Sequence, residues 1–276
     1  MAGLDLQTIL IIAGLLAIAG GVTGVLAGLF GVGGGAIVVP VLYEVFGMID
    51  VPDEVRMPLA VGTSLAIIIP TSIQSARGHF KRGAVDMAIL KSWLVPVVLG
   101  VVLGSFIASF ADPWVFKVVF VLVAGTNAIK LLFGRESWKL GDSLPGGIVR
   151  RIMGFFVGLF SALMGIGGGA ISNLLFTLYG KPIRESVATS AGVGVLISIP
   201  GAIGYVLAGW GKAGLPPLSL GFVSVLAFVL LVPTTVLTTR IGVRLAHSIP
   251  KRRLEVLFGL FLAATCARFI WALASP

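Results

Sequence analysis

Ten apolar runs, separated by short polar punctuation, organise the chain. In the first half they lie at Leu6 to Leu29, Ala36 to Phe46, Pro58 to Ala76, Val85 to Phe110 and Trp114 to Phe133. The second half supplies Ile148 to Met164, Ala170 to Tyr179, Ser186 to Leu207, Leu218 to Thr239 and Leu254 to Leu273. Crossing a hydrocarbon layer takes about 20 apolar residues, which eight of the runs approach or exceed. The other two, one in each half, have about 10 to 12 residues, or roughly 15 to 18 Å of helix, half the thickness of the layer. The pattern predicts an all-α integral membrane protein with four transmembrane helices and one half-helix in each half.

Each short run follows a glycine cluster, GVGGGAI at Gly31 to Ile37 and GIGGGAI at Gly165 to Ile171. Glycine inside a helix costs about 1 kcal/mol relative to alanine, so nearly consecutive glycines end one. Within a bilayer the freed N–H and C=O groups have no water to turn to, and irregular backbone persists only against protein or a wet cavity. A nucleotide loop is excluded, because neither cluster is followed by the Lys and Ser/Thr of a P-loop.

The halves read as repeats. Aligning the glycine clusters sets Gly20 on Gly154 and Gly24 on Gly158, with Gly28 over Ala162. Thr63 to Gly83 then runs without gaps against Thr189 to Gly209, matching Thr63 with Thr189, Ser64 with Ser190 and Ser72 with Ser198. The last helices set Lys130 over Arg268. The expected organisation is a first membrane repeat over 1–134, a cytoplasmic linker over 135–147 and a second membrane repeat over 148–276.

Charge fixes the orientation expected of the halves. Only 11% of residues are charged, against about 25% in soluble proteins, and 57% are hydrophobic. The net charge of +9 comes from loops between apolar runs, so it marks topology and not a nucleic-acid surface. Basic residues gather at Arg77, Lys81 and Arg82, at Arg135, Lys139, Arg150 and Arg151, at Lys181 and Arg184, and at Arg240, Arg244, Lys251, Arg252 and Arg253. Lys and Arg accumulate on cytoplasmic loops, which puts these four connections inside. The connections with Asp50, Asp53, Glu54 and Arg56, with Asp112, and with Lys212 fall outside. An even number of crossings must then separate Arg150 from Arg252, which holds if the glycine run reverses the chain and fails if it only kinks a helix. The short runs become re-entrant half-helices and the repeats become inverted, with glycine breaks meeting near the midplane as in broken-helix transporters. Eight full spans with kinked first and fifth helices are the alternative. The lead over Met1 to Thr8 lacks the basic residues of a signal peptide, so the first run is expected to be a retained helix.

Enzymatic chemistry lacks its parts. Two histidines in loops and one cysteine, Cys266, provide neither a nucleophile with its base nor a metal cage, so no catalytic residue, metal or cofactor is expected.

The paired G-[VI]-GGG runs, each followed by a Thr-Ser helix and a glycine-ended connection, resemble the TauE/SafE family of anion and sulfite exporters over essentially the whole chain. The resemblance implies a secondary transporter of the cell membrane that moves sulfite, sulfoacetate or other organosulfonates, by export, with alternating access. An anion channel of the same fold, or uptake of another small organic anion, are the alternatives. Proton coupling and homo-oligomer formation stay open.

A small anion needs donors that replace its water shell, and successive N–H groups at a helix start supply them along a favourable dipole. Gly33, Gly34, Gly35 and Gly167, Gly168, Gly169 are therefore the leading contacts, with Ala36 and Ala170 opening the half-helices; close helix packing is the competing role for such glycines. Thr63, Ser64, Thr189 and Ser190 could donate hydroxyls or bond their own backbone one turn back. Ser72, Gln74 and Ser198 are deeper candidates. Asn173 stands where the other repeat has Val39, and could set selectivity or bridge helices. Arg268, inside the last run, could balance anion charge or pair with a neighbour. Lys130 is expected to snorkel, Glu44, Asp86 and His79 to be solvated, and Trp93, Trp114, Trp138, Trp210 and Trp271 to form interfacial belts.

Overall fold

The computed structural model describes residues 6–30, 34–134, 138–245 and 251–274. They form α1 (Leu6–Phe30), α2 (Gly35–Met48), α3 (Asp53–Phe80), α4 (Met87–Ala108), α5 (Pro113–Phe133), α6 (Gly147–Met164), α7 (Gly169–Leu178), α8 (Ile183–Ala208), a two-stranded hairpin of β1 (Ser219–Leu220) and β2 (Val223–Ser224), α9 (Val225–Leu245) and α10 (Lys251–Ala274). Each of the ten apolar runs overlaps one of the ten described helices. Seven of the described helices, α3 to α6 and α8 to α10, are long and apolar enough to cross a membrane, and α1 adds 25 residues without a charged side chain. The protein is a multi-pass membrane protein.

Local chemistry sets the helix ends. Proline at position 52, followed by Asp53 and Glu54 in the first turn, starts α3 five residues before the expected Pro58, because acidic groups complement the helix N-terminus. Asp86 caps α4 by accepting from the amides of Ala88 and Ile89. The expected helix from Leu218 is corrected: Leu218 and Gly221 take positive φ, and the chain forms a hairpin before α9 begins at Val225. Gly221 is obligatory there, since a Cβ would stand 2.0 Å from the Val206 carbonyl oxygen.

The innermost helices are α3 and α8, and they run antiparallel: Gly62 lies against Tyr205, Leu65 against Gly201 and Ser72 against Gly194. Tyr205, fully buried, donates its hydroxyl to the Ala162 carbonyl. Outside this pair, α1 runs parallel to α9, with Gly20, Gly24 and Gly28 meeting Thr234, Thr235 and Thr239 in turn. In the same way α6 runs parallel to α4, with Gly154 on Trp93 and Gly158 on Val97. Finally α5 and α10 run antiparallel, joined by Phe120 on Phe269 and Leu132 on Gly259. Small residues let the backbones come within carbonyl contact, which replaces the hydrophobic force that lipid cannot supply between helices. Side chains such as Val95, Phe106, Leu122 and Leu237 stay exposed on the outer faces, as a lipid-facing surface requires.

The connections sort by charge. Lys181 pairs with Asp86 at 2.6 Å, Leu140 donates to the Leu178 carbonyl, Arg252 donates to the Leu131 carbonyl, and Gly78 approaches Val243. These contacts gather the four basic connections at one end of the bundle. At the other end, Lys117 meets Asp53 and Gly214 meets Pro52, joining the three connections poor in basic residues.

Two expected placements are corrected. Trp93 is fully buried, stacked beside Phe176 and over Gly154, because the absent side chain at Gly154 leaves room for an indole. His79, expected to be solvated in a basic loop, is also buried, in the last turn of α3. Trp114, Trp138, Trp210 and Trp271 are exposed.

Candidate functional site

Both glycine clusters interrupt the helices. On the second, α6 stops at Gly165 (φ +64°), Gly168 takes φ +67°, and α7 begins at Gly169. On the first, Gly34 takes φ +78° and α2 begins at Gly35; Gly33 lies outside the described residues. A left-handed residue costs an L-amino acid about 1 to 2 kcal/mol, which glycine avoids. Each helix thus starts from a left-handed glycine, and neither cap supplies a side-chain acceptor to the opening amides. Ile37 donates to the Gly34 carbonyl, Ser172 to the Gly168 carbonyl and Gly168 to the Ile166 carbonyl, which leaves the very first amides, of Gly35 and Ala36 and of Gly169 and Ala170, buried and without an acceptor among the described residues.

The two breaks touch each other. A Cβ on Gly35 would stand 2.2 Å from the Gly165 carbonyl oxygen and 2.9 Å from the Ile166 Cα. The Ser64 hydroxyl donates to the same Gly165 carbonyl at 2.8 Å, fastening α3 to the second break. Gly167 lies on Ile68, and Gly168 on Ile197 and Val193, so α3 and α8 close the two sides. Residues 161 to 172 are all buried. Two surface cavities lie elsewhere: a groove of about 580 Å³ bordered by Lys91, Arg151 and Phe155, and one of about 470 Å³ beneath the hairpin. The described residues of both breaks, Gly34 and Gly35 and Gly165 to Gly169, are buried.

Beside them stand three buried hydroxyls that have no partner among the described residues, Thr23, Ser72 and Ser161; the Ser190 and Ser198 hydroxyls on α8 are likewise buried and without a partner there. The Ser72 Oγ sits 2.7 Å from where a Cβ of Gly194 would be, a point itself 3.0 Å from the Gly167 carbonyl. The Ser161 Oγ sits 3.3 Å from the corresponding point on Gly168, and Thr23 packs on Gly34. Buried polar groups are nearly always hydrogen-bonded, so three orphans beside two uncapped helix starts mark a place with unused polar capacity. Thr23 and Ser161 escape a motif-based reading; their signal is a lone hydroxyl one to three turns before a glycine cluster.

Other sequence candidates have local partners. Thr63 accepts from the Ser224 amide at 2.9 Å, and Thr189 accepts from the Asp86 amide at 3.0 Å, so each threonine caps the helix that follows the polar turn beside it. Ala36 and Ala170 sit one residue inside their helices, next to the touching breaks. Asn173 lies one turn into α7, its side-chain Oδ1 buried and without a partner among the described residues. Arg268 is not brought to the breaks: it is exposed, pairs with Glu44 of α2 at 3.2 Å and lies over Trp271. Lys130 donates to the Thr177 hydroxyl near the end of α7.

The sequence reading passed over Lys117, which is buried near the start of α5. Its ammonium reaches Asp53 at 3.6 Å and faces the Tyr43 ring, while the Tyr43 hydroxyl donates to Asp53 and Arg56 pairs with the same carboxylate. Its position four residues past Pro113 reads as a helix end, which concealed the burial. At the opposite end, Asp86 holds its carboxyl below the usual range. Partial burial alone would raise it, but the Lys181 hydrogen bond and charge, with the Ile89 and Ala88 amides, outweigh that.

Comparison with known proteins agrees with this architecture. The family profile described as "Sulfite exporter TauE/SafE" matches residues 16–269. A "Probable membrane transporter protein" of Haemophilus influenzae is 29% identical over 248 residues, covering 90% of this chain and 94% of its own. A protein of the same description from Methanocaldococcus jannaschii is 29% identical over 255 residues, covering 92% and 93%. A third, from Bacillus subtilis, is 24% identical over 215 residues, covering 71% and 78%. No solved structure matches the chain. A helical membrane protein matched by that profile from its first helix to its last belongs to the TauE/SafE family of membrane transporters.

Proposed function

We propose that the chain is a secondary transporter of small sulfur-containing oxyanions, sulfite or organosulfonates, working by alternating access about its two glycine breaks, in the direction of export. The observation that carries this reading is the contact of two buried glycine breaks, Gly35 against Gly165, each opening a helix without a side-chain cap and each with a partnerless buried hydroxyl beside it, Thr23 at Gly34 and Ser161 at Gly168. Bare amides at helix starts bind anions, and the sulfur in the proposal comes from the description of the family.

Under this proposal residues 1–134 and 148–276 are inverted repeats. The packing favours inversion: the elements that would correspond, α3 with α8 and α5 with α10, lie antiparallel, while α1 on α9 mirrors α6 on α4. The capping threonines correspond too, Thr63 with Thr189. The basic end of the bundle is then cytoplasmic, and α2 and α7 are half-helices entering from opposite faces. Alternating access follows by rocking α1–α2 and α6–α7 about the contact at Gly35 and Gly165. The candidate contacts are Gly33, Gly34, Gly35, Ala36, Gly167, Gly168, Gly169 and Ala170, with Ser64, Ser190 and Asn173 beside them. Thr63 and Thr189 support the adjoining helix starts, and Arg268 acts at the outer end.

Purified protein in liposomes tests the reading. Sulfite or methanesulfonate should raise the melting temperature and accelerate exchange of the same anion from the opposite side, a signature of a carrier. Gly34→Val and Gly168→Val should abolish exchange. Full transport by both folded variants would refute the assignment.

A further inference from the structure

The segments that enclose the breaks contain no charged side chain at all. Leu6 to Tyr43, Met57 to Ala76, Ile152 to Gly180 and Ser186 to Gly211 hold neither Lys, Arg nor His, and neither Asp nor Glu. These stretches comprise α1, the first nine residues of α2, most of α3, the body of α6, all of α7 and nearly all of α8. The polar atoms that reach the breaks are neutral: the hydroxyls of Ser72 and Ser161, both fully buried and without partners among the described residues, and the opening amides of α2 and α7. Cations near the mouths are engaged elsewhere, Lys117 with Asp53, Arg268 with Glu44 and Lys181 with Asp86.

We infer that the site is selective for singly charged anions and rejects doubly charged ones of the same shape. The inference rests on the proposed transport of oxyanions and adds a charge rule to it. Desolvating an ion costs energy in proportion to the square of its charge, whereas attraction to fixed neutral dipoles grows only in proportion to the charge. A site without a counter-charge therefore recovers the cost of one charge far more readily than that of two. A helix start contributes roughly half a positive charge, and the α6 carbonyl end at Gly165 lies against the start of α2, so the dipoles present suit one negative charge far better than two. The class of ligand is thus a monoanionic sulfonate, hydrogensulfite or a similarly sized monoanion. Sulfate and fully ionised sulfite fall outside it.

Three anions separate the outcomes, with the full-length protein in liposomes and protein-free vesicles subtracted. Methanesulfonate is singly charged throughout the neutral range, sulfate is doubly charged, and sulfite loses its second proton near neutrality. Between about pH 6 and pH 8, methanesulfonate flux should stay level while sulfite flux falls with the hydrogensulfite fraction. Sulfate should compete with methanesulfonate at least about a hundredfold more weakly than methanesulfonate competes with itself. Ser72→Ala, which removes one neutral donor and little volume, should raise the KM for methanesulfonate about tenfold while the melting temperature stays within a few degrees, since one hydrogen bond to a charged group is lost. Equal competition by sulfate, or sulfite flux that rises with pH, overturns the charge rule and leaves anion transport standing. If none of the three anions moves, anion transport itself is refuted and the charge rule falls with it.

Discussion

Gly35→Ala is the smallest perturbation that tests whether contact between the two breaks holds the interior together. The added methyl would stand 2.2 Å from the Gly165 carbonyl oxygen and 2.9 Å from the Ile166 Cα, and both are backbone, which cannot swing aside like the end of a side chain. Overpacking of this kind costs about 1 to 3 kcal/mol. The carbonyl it displaces also accepts the 2.8 Å bond from Ser64, so about 1 kcal/mol more is lost. Gly35 is the first residue of α2, where alanine's helix preference offsets only a fraction of 1 kcal/mol. The net loss is about 2 to 3 kcal/mol, or roughly 5 to 10 °C in melting temperature for a chain of this size. Detergent-solubilised protein followed by tryptophan fluorescence reads this directly. Ser64→Ala should fall by only the hydrogen-bond share, roughly 2 to 4 °C. Gly21→Ala serves as control, because nothing lies within 4 Å of its missing Cβ. A Gly35→Ala protein that melts with the wild type, or a Gly21→Ala protein that loses as much, would refute the contact.

Further outcomes follow from single contacts. Thr63→Val and Thr189→Val leave the buried Ser224 amide and the half-buried Asp86 amide without an acceptor, costing about 1 to 3 kcal/mol at the first and less at the second; faster hydrogen exchange at each amide checks it. Asp86 has a lowered pKa in the folded protein, so its contribution is complete above the ordinary carboxyl range and is lost as acidification passes through the lowered value. Wild-type protein should lose melting temperature below about pH 4, and Lys181→Met should show a weaker acid dependence of its own. In a Cys266→Ala background, cysteines placed at Ser143 and Ala213 should react with an impermeant thiol reagent from opposite sides of the membrane, Ser143 from the cytoplasm. Lys117→Met removes the buried ammonium from Asp53 and Tyr43; outer-end exchange should quicken around Asp53, and unchanged exchange there would show that the pair holds nothing.

All ten helices were legible in the sequence because hydrocarbon is an exacting solvent: a run either satisfies its backbone internally or does not span. The two breaks were legible because glycine clusters have few other uses inside apolar sequence. Helix ends were less so. The start of α3 moved to Asp53 because two acids and a proline outweigh Pro58, and the start of α9 was hidden because Ser219 to Ser224 is as apolar as a helix while folding as a hairpin. Tertiary pairs escaped the sequence altogether. Nothing local announces that Lys117 is buried, that Trp93 fills the space over Gly154, or that Arg268 finds Glu44 on a helix 224 positions earlier.

Matched positions between the halves do not by themselves separate binding from support. Thr63 and Thr189 are matched, and both turn out to cap a neighbouring helix, which explains the match without any ligand. Ser64 and Ser190 are matched as well, yet their hydroxyls differ: one holds the Gly165 carbonyl, the other has no partner among the described residues. The counterpart of Gly165 in the first half is Gly31, outside those residues, so the matched fastening on that side is a prediction of the duplication. Removing both serines discriminates. If Ser190 fastens the first break as Ser64 fastens the second, Ser190→Ala should lower the melting temperature by the same roughly 2 to 4 °C and spare the KM for substrate. If it is a free donor to the anion, the melting temperature should hold and the KM should rise. Ser64→Ala, whose partner is known, calibrates the first outcome, so the pair of variants sorts structural symmetry from functional symmetry at the one position where the two readings part.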